Sequence, residues 1–286
     1  MRFLLIFALL LGAAGSLWAQ HDEHQRPDGE RGSGRGGGGR GGWTSQPLLF
    51  LERGDDRTST TLRMRGSEAS SVTVFGPAGG QREFQFVDGR AKIEVADAET
   101  GNYHWVQVRD EKEQHVGIAT TVWYSSLSGP SPSRLLETEH SELEIVPAPL
   151  PREHANYRES EKWRFAVRYK GQPLSGQRLL LETENSSRST FVTDAQGVAT
   201  VLFPRDFDGK SGDSSHGARL RAGFVLSTEY LSDGRHFVTA FNASYGEDAD
   251  RKHSLGWGAV FGVFGMLSAL PLLRRRKRIA SKEQSC

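Results

Sequence analysis

The sequence predicts an all-β protein, with two antiparallel β-sandwich domains followed by one C-terminal transmembrane helix. Three observations carry this expectation. Short runs in the body alternate apolar and polar residues at period two, separated by glycine- and proline-rich turns, with no sustained helical period. One stretch near the end, Leu255 to Leu273, has no charged side chain and reaches about 30 Å as a helix, enough to cross a hydrocarbon layer. The only cysteine among 286 residues is Cys286, so the body is held by its core without disulfides.

Residues 1–19 read as an export signal. Met1 and Arg2 make a short charged region, Phe3 to Leu11 an apolar run, and Ala19 ends a small-residue cleavage site in which Leu17 is larger than ideal. The apolar run is too short to span a bilayer, which sets a cleaved signal against the competing reading of a retained anchor. Residues 20–43 follow as a histidine-containing leader and a linker. Arg26 to Gly42 offers no core-forming side chain and is expected to be a disordered tether. Arginine–glycine tracts also occur in RNA-binding segments. An export signal ahead of this one, and Trp43 as its single nearby aromatic, favour a solvated tether and no nucleic-acid partner. The formal net charge of +1 argues against a generic polyanion binder.

Residues 44–124 form the first expected sandwich. Thr60–Met64, Ser71–Phe75, Glu83–Val87 and Ala91–Val95 each place apolar residues on one face, and Gly76–Gly80 and Asp88-Gly89 are turn signals between them. Gly101-Asn102-Tyr103-His104-Trp105-Val106-Gln107-Val108 has the shape of a penultimate immunoglobulin-like strand. On that reading Tyr103 is a tyrosine-corner residue bonded to the preceding turn, Trp105 fills the core, and His115–Tyr124 is the last strand. His104 and His236 are expected to point outward from their strands.

Residues 125–138 are a Ser/Pro linker, and residues 139–250 a second β unit. Its strands are expected at Leu143–Pro147, Lys162–Tyr169, Gln177–Glu182, Thr190–Thr193, Val198–Phe203, Arg219–Thr228 and Gly234–Tyr245. A G-x-P-L-x-G turn at Gly171–Gly176 lets Pro173 fix one dihedral and Leu174 fold back on the core. A T-D-x-x-G turn at Thr193–Gly197 makes a tight hairpin. With these two turns, a strand ending in Pro204 and the closing Gly234–Tyr245 run, residues of roughly 139–245 resemble the DUF4198 family. The same turns recur in carboxypeptidase regulatory-like and bacterial immunoglobulin-like modules. The resemblance implies a sandwich with a link to nickel or cobalt uptake, nickel or cobalt as the ion, and a metal-transport permease as partner.

The strongest local chemistry is His21-Asp22-Glu23-His24, which cleavage after Ala19 would leave near the mature N-terminus, where imidazoles and carboxylates can surround a divalent ion. The resemblance implies a histidine near the mature N-terminus, and His21 would be its counterpart. Gln20 and the tether depart from that pattern. The other histidines show no paired spacing along one strand or helix, although Glu139–Glu142 and Glu153-His154, near the start of the second unit, can converge in space. Asp55-Asp56 and Asp248 with Asp250 read as solvated loop carboxylates. No nucleophile elbow, zincin motif or phosphate-binding loop is present, so the chain is expected to be non-catalytic.

Residues 254–273 are the expected membrane helix, and residues 274–286 a basic tail. Arg274, Arg275, Arg276, Lys277 and Arg278 hold that tail on the cytoplasmic side, which places the body in the periplasm of a bacterial inner-membrane protein. Gly258 and Gly262 form a small-residue pair suited to homodimerisation of the helix. A span followed by a basic cluster is also the layout of a cleaved sorting tail, though no recognition motif precedes Ser254. Two functions follow: a membrane-anchored periplasmic binding module in transition-metal uptake or homeostasis, or a structural and adhesive envelope protein that binds protein or polysaccharide.

Overall fold

The computed structural model describes residues 42–54, 56–95, 101–125, 129–151, 156–207 and 220–248, with residues 260, 263–266 and 268 of a helical stretch near the C-terminus. Among these the chain is mostly β-sheet. Strands β1 (Leu48–Arg53), β2 (Ser59–Arg65), β3 (Ser71–Phe75), β4 (Gln81–Gln85), β5 (Arg90–Glu94), β6 (Tyr103–Lys112) and β7 (His115–Tyr124) come first. They lie in two layers, ordered β1-β2-β5 and β7-β6-β3-β4. A helical turn, α1 (Ser133–Glu137), precedes β8 (Leu143–Pro147), β9 (Tyr157–Arg158), β10 (Lys162–Tyr169), β11 (Gln172–Pro173) and β12 (Arg178–Thr183). The chain closes with β13 (Arg188–Val192), β14 (Val198–Leu202), β15 (Arg221–Ser232) and β16 (Arg235–Gly246). Leaving aside the two-residue strands, β8-β10-β14 and β16-β15-β12-β13 repeat the order of the first half.

The local sequence accounts for the turns. Asp88 and Gly89 both take positive φ (50° and 72°), the geometry of a mirror-image hairpin turn that matches strand twist. At the second turn signal, Asp194 Oδ1 accepts from the Gln196 and Val198 amides, each at 2.9 Å. Gly197 there has φ 72°, and a Cβ on it would stand 2.7 Å from Pro173 Cβ, so glycine is required twice over. Leu174 does pack on the core, as its turn suggests.

The seam between the halves departs from the sequence expectation. The last strand of each half pairs with the other in parallel, from His115 opposite His236 to Thr120 opposite Phe241. A continuous nine-stranded sheet results, in which β9 also pairs β16 in parallel. Two antiparallel units joined only by a linker would leave both edges open to other chains; here each edge covers the other. The period-two alternation of β6 sends Val106 and Val108 into a core with Leu62, Val72 and Ile93. It sends Trp105 into a second core with Phe165, Phe224 and Phe241. The two covering layers therefore lie on opposite faces of one sheet, and the first six residues of β6 are all buried.

This double burial corrects two expectations. Trp105 faces the second core rather than its own, 6.2 Å from Phe241. His104 is fully buried against Trp123 at 4.9 Å instead of pointing outward, because the sheet has no wet face there. Tyr103 donates its hydroxyl to the Pro151 carbonyl at 3.0 Å; the turn before it, residues 96–100, lies outside the described residues.

Each half is entered by a segment that crosses to the other side of the sheet. Within the 125–138 linker, Leu135 of α1 is buried, and His140 just beyond it stacks on Trp105 at 5.2 Å. Near the start, Trp43 and Leu48 cover Val225 and Ala240 on the outer face of β15 and β16. Among the described residues no helix is long and apolar enough to cross a membrane.

Candidate functional site

The seam builds a cleft of about 800 Å³. Its walls come from both halves: β1, the start of β6 and the end of β7 on one side, and β9, β15 and β16 on the other. Aromatic rings make its floor. Tyr103 and Tyr124 stand 5.3 Å apart, and Tyr157 packs edge-on against Phe224 at 5.2 Å and stacks on Phe165 at 5.9 Å. The Tyr157 ring is 5% exposed, and its hydroxyl has no hydrogen-bond partner among the described residues. Burial pushes that phenol far above its ordinary range, so it is a neutral donor and acceptor.

Polar groups ring the cleft. The Asn242 side chain accepts from the Leu49 amide at 3.0 Å and donates to the Leu49 carbonyl at 2.8 Å, copying a strand partner across the seam. Glu184 Oε2 accepts from the Gly223 amide at 3.0 Å. Trp43 lies over Gly223, where a Cβ would meet its ring at 3.5 Å, and Asn156 and Arg221 complete the rim. An apolar floor with a few fixed polar groups, at a domain junction and within the usual size range, is the physical profile of a recognition site.

A second polar cluster fastens the linker. Glu144, fully buried, accepts from Arg168 Nε at 2.5 Å and from the His140 and Ser141 amides at 2.7 and 3.0 Å. Burial nevertheless holds its pKa above the ordinary carboxylate value, against the pull of Arg168. Arg168 also donates to the carbonyls of Leu136, Glu137 and Thr138, the exposed C-terminal carbonyls of α1. His140 Nε2 sits 2.8 Å from the Leu135 carbonyl, and burial lowers its pKa, so this ring is neutral and donates from Nε2. These contacts read as structural.

The residues singled out from sequence fall elsewhere. His21, Asp22, Glu23 and His24, the Gly258 and Gly262 pair, and Arg274, Arg275, Arg276, Lys277 and Arg278 all lie outside the described residues. So do Glu153 and His154, which leaves the proposed convergence with Glu139–Glu142 without a second partner here. Among the described residues no three His, Cys, Asp or Glu side chains gather as a metal site. The cleft residues carried no motif, since they come from strands far apart in sequence. The one local signal was Tyr103 in its strand.

Neither a family model nor a curated protein matches the chain. Among solved structures it is similar to a two-domain fibronectin type-III segment from chicken tenascin, at 11% identity and a TM-score of 0.22, covering 69% of this chain and 96% of that one. A bacterial ice-binding adhesin follows, at 11% identity and 0.25, covering 72% and 65%. Trypsin-activated α2-macroglobulin from Escherichia coli is similar at 12% identity and 0.21, over 70% of this chain and 15% of that one.

Proposed function

We propose that the chain is a non-catalytic, membrane-tethered module of the bacterial envelope, in which two immunoglobulin-like sandwiches bind a protein or polysaccharide partner at their seam. The observation that carries this is the cleft itself. It is assembled because β7 and β16 pair, and it combines an aromatic floor, a buried Tyr157 hydroxyl with no partner among the described residues, and a fixed polar rim. Tethering is supported by the uncharged run at Leu255–Leu273 and the basic cluster after it. Val263, Phe264 and Met266 are exposed on their helical stretch, as lipid-facing residues would be. A role in nickel or cobalt uptake, with a permease partner, is supported by the DUF4198 resemblance and by His21 and His24 alone.

The test is photocrosslinking in the source bacterium with the full-length protein. Benzoylphenylalanine at Trp43 or Tyr124, on the cleft, is expected to capture a specific adduct. The same group at Leu231, exposed and far from the cleft, is expected to capture none. Equal capture at all three positions, or none at the cleft, overturns the reading.

A further inference from the structure

The parallel seam also brings together two histidines that are 121 residues apart. His115 opens β7 and His236 lies near the start of β16; they are directly opposite in the ladder, so their side chains leave the same face. Their ring centroids are 5.3 Å apart with planes inclined at 54°. Both are accessible, His115 as an exposed residue and His236 with 42% of its side chain in solvent. Glu229 Oε2 lies 3.1 Å from His236 Nε2, on a carboxylate that is itself 74% exposed.

These separations can be compared with what one ion requires. With metal–nitrogen bonds of about 2.0–2.1 Å and ring nitrogens roughly 1.2 Å from the centroid, an ion sits about 3.2 Å from each centroid. A tetrahedral angle then puts the centroids about 5.2 Å apart, whereas a square-planar right angle puts them at about 4.5 Å. The observed 5.3 Å fits the tetrahedral case. The same geometry separates a nitrogen and an oxygen donor on one ion by about 3.3 Å, close to the 3.1 Å between His236 and Glu229.

We propose that His115 and His236 form a two-imidazole chelate for a tetrahedral divalent ion, best zinc(II), with Glu229 swinging in as third donor and water as fourth. Among the described residues the three groups do not already converge as a closed site; the exposed glutamate closes it on the ion. Nearby cations do not oppose binding strongly, because Arg235 pairs with Glu111 and Lys112 with Glu68. His115 belongs to the first half and His236 to the second, so the ion staples the seam. This site is separate from the cleft and does not depend on its ligand.

The experiment uses the full-length protein in detergent, titrated with zinc(II) by calorimetry and with cobalt(II) by visible absorption. A His21→Ala/His24→Ala variant removes the leader histidines. One equivalent of zinc is expected to bind that variant and the parent alike, and to raise the melting temperature of both. His115→Ala and His236→Ala are each expected to weaken binding by at least about tenfold and abolish the thermal shift, with cobalt losing its intense tetrahedral bands. Both positions are on the surface, so unchanged melting without metal confirms that the variants fold. Glu229→Gln is expected to weaken binding several-fold. Binding that survives both seam substitutions, that disappears with the leader histidines, or that is absent altogether overturns the proposal. Undiminished affinity in Glu229→Gln removes that residue as the third donor.

Discussion

The two segments that lead into the sandwiches do the same job by different chemistry. Each crosses the sheet to cover the outer face of the other half, yet the linker into β8 is fastened by a buried ion pair and the segment into β1 mainly by neutral groups. At the linker, Arg168 and the fully buried Glu144 hold five backbone groups and each other. At the start of the chain, Asn242 pairs with both backbone groups of Leu49, and Trp43 rests on Gly223. A charged group also serves there: Glu182 accepts from Thr44 at 2.7 Å and is bonded by Arg188. A buried ion pair gives little net stability when whole but is costly to break, whereas amide bonds fail in proportion to their number. The linker is thus the brittle fastening and the N-terminal segment the graded one.

The largest effect should come from breaking the brittle one. Arg168→Met leaves Glu144 buried without its cation and is expected to cost about 3–5 kcal/mol by denaturant unfolding. The loss has a sign in pH. A carboxylate whose folded pKa is raised above the unfolded value, near 4.5, keeps its proton longer when folded, so stability falls as pH rises above that value and through the folded pKa. Losing Arg168 raises it further, so the variant should lose more stability than the parent between about pH 5 and pH 7.5. Adding Glu144→Gln should restore a large part of the loss. An identical penalty at both pH values would show that Arg168 acts through the α1 carbonyls and not through Glu144.

The graded fastening should yield less. Asn242→Ala removes two backbone bonds at the cleft wall, where water can replace part of them, and is expected to cost about 2 kcal/mol. Hydrogen exchange should report faster exchange at the Leu49 amide than at the interior amides of β6. Uniformly faster exchange would mean that the N-terminal segment and the seam open as one unit, erasing the contrast with the linker.

How far sequence reached follows the same division between local and distant causes. Ser71–Phe75, His115–Tyr124, Leu143–Pro147 and Lys162–Tyr169 occupy the strands their alternation and flanking turns indicate, because period, turn residues and glycine conformation act within a few positions. The parallel pairing of β7 and β16 has no such local cause, and everything that depends on it was hidden. His104 looks like an outward position only if one face of β6 is wet. The expectation that Trp105 fills the core of its own half rests on the same premise. His115 and His236 meet through register alone, and Tyr157, in a two-residue strand, has no periodicity to mark it. The Ser/Pro run was legible as a boundary but not as a covering layer, since Leu135 and Arg168 are linked only in three dimensions.

The smallest effect lies between the two fastenings, in a surface chain of charges that joins both halves: Glu142, Arg109, Glu111 and Arg235. Arg109 holds Glu142 below its ordinary carboxylate value, chiefly through their hydrogen bond. A lowered folded pKa gives stability that is present above the unfolded value and lost as pH falls through the folded one, the reverse of Glu144. Both side chains are about a third exposed, so solvent screens the pair. Glu142→Gln is expected to cost at most about 1 kcal/mol near neutral pH, less at high salt, and almost nothing in acid. The two glutamates beside one linker should therefore respond to pH with opposite slopes. Parallel slopes in Glu142→Gln and Glu144→Gln would show that both report one shared opening of the linker rather than two distinct electrostatic contacts.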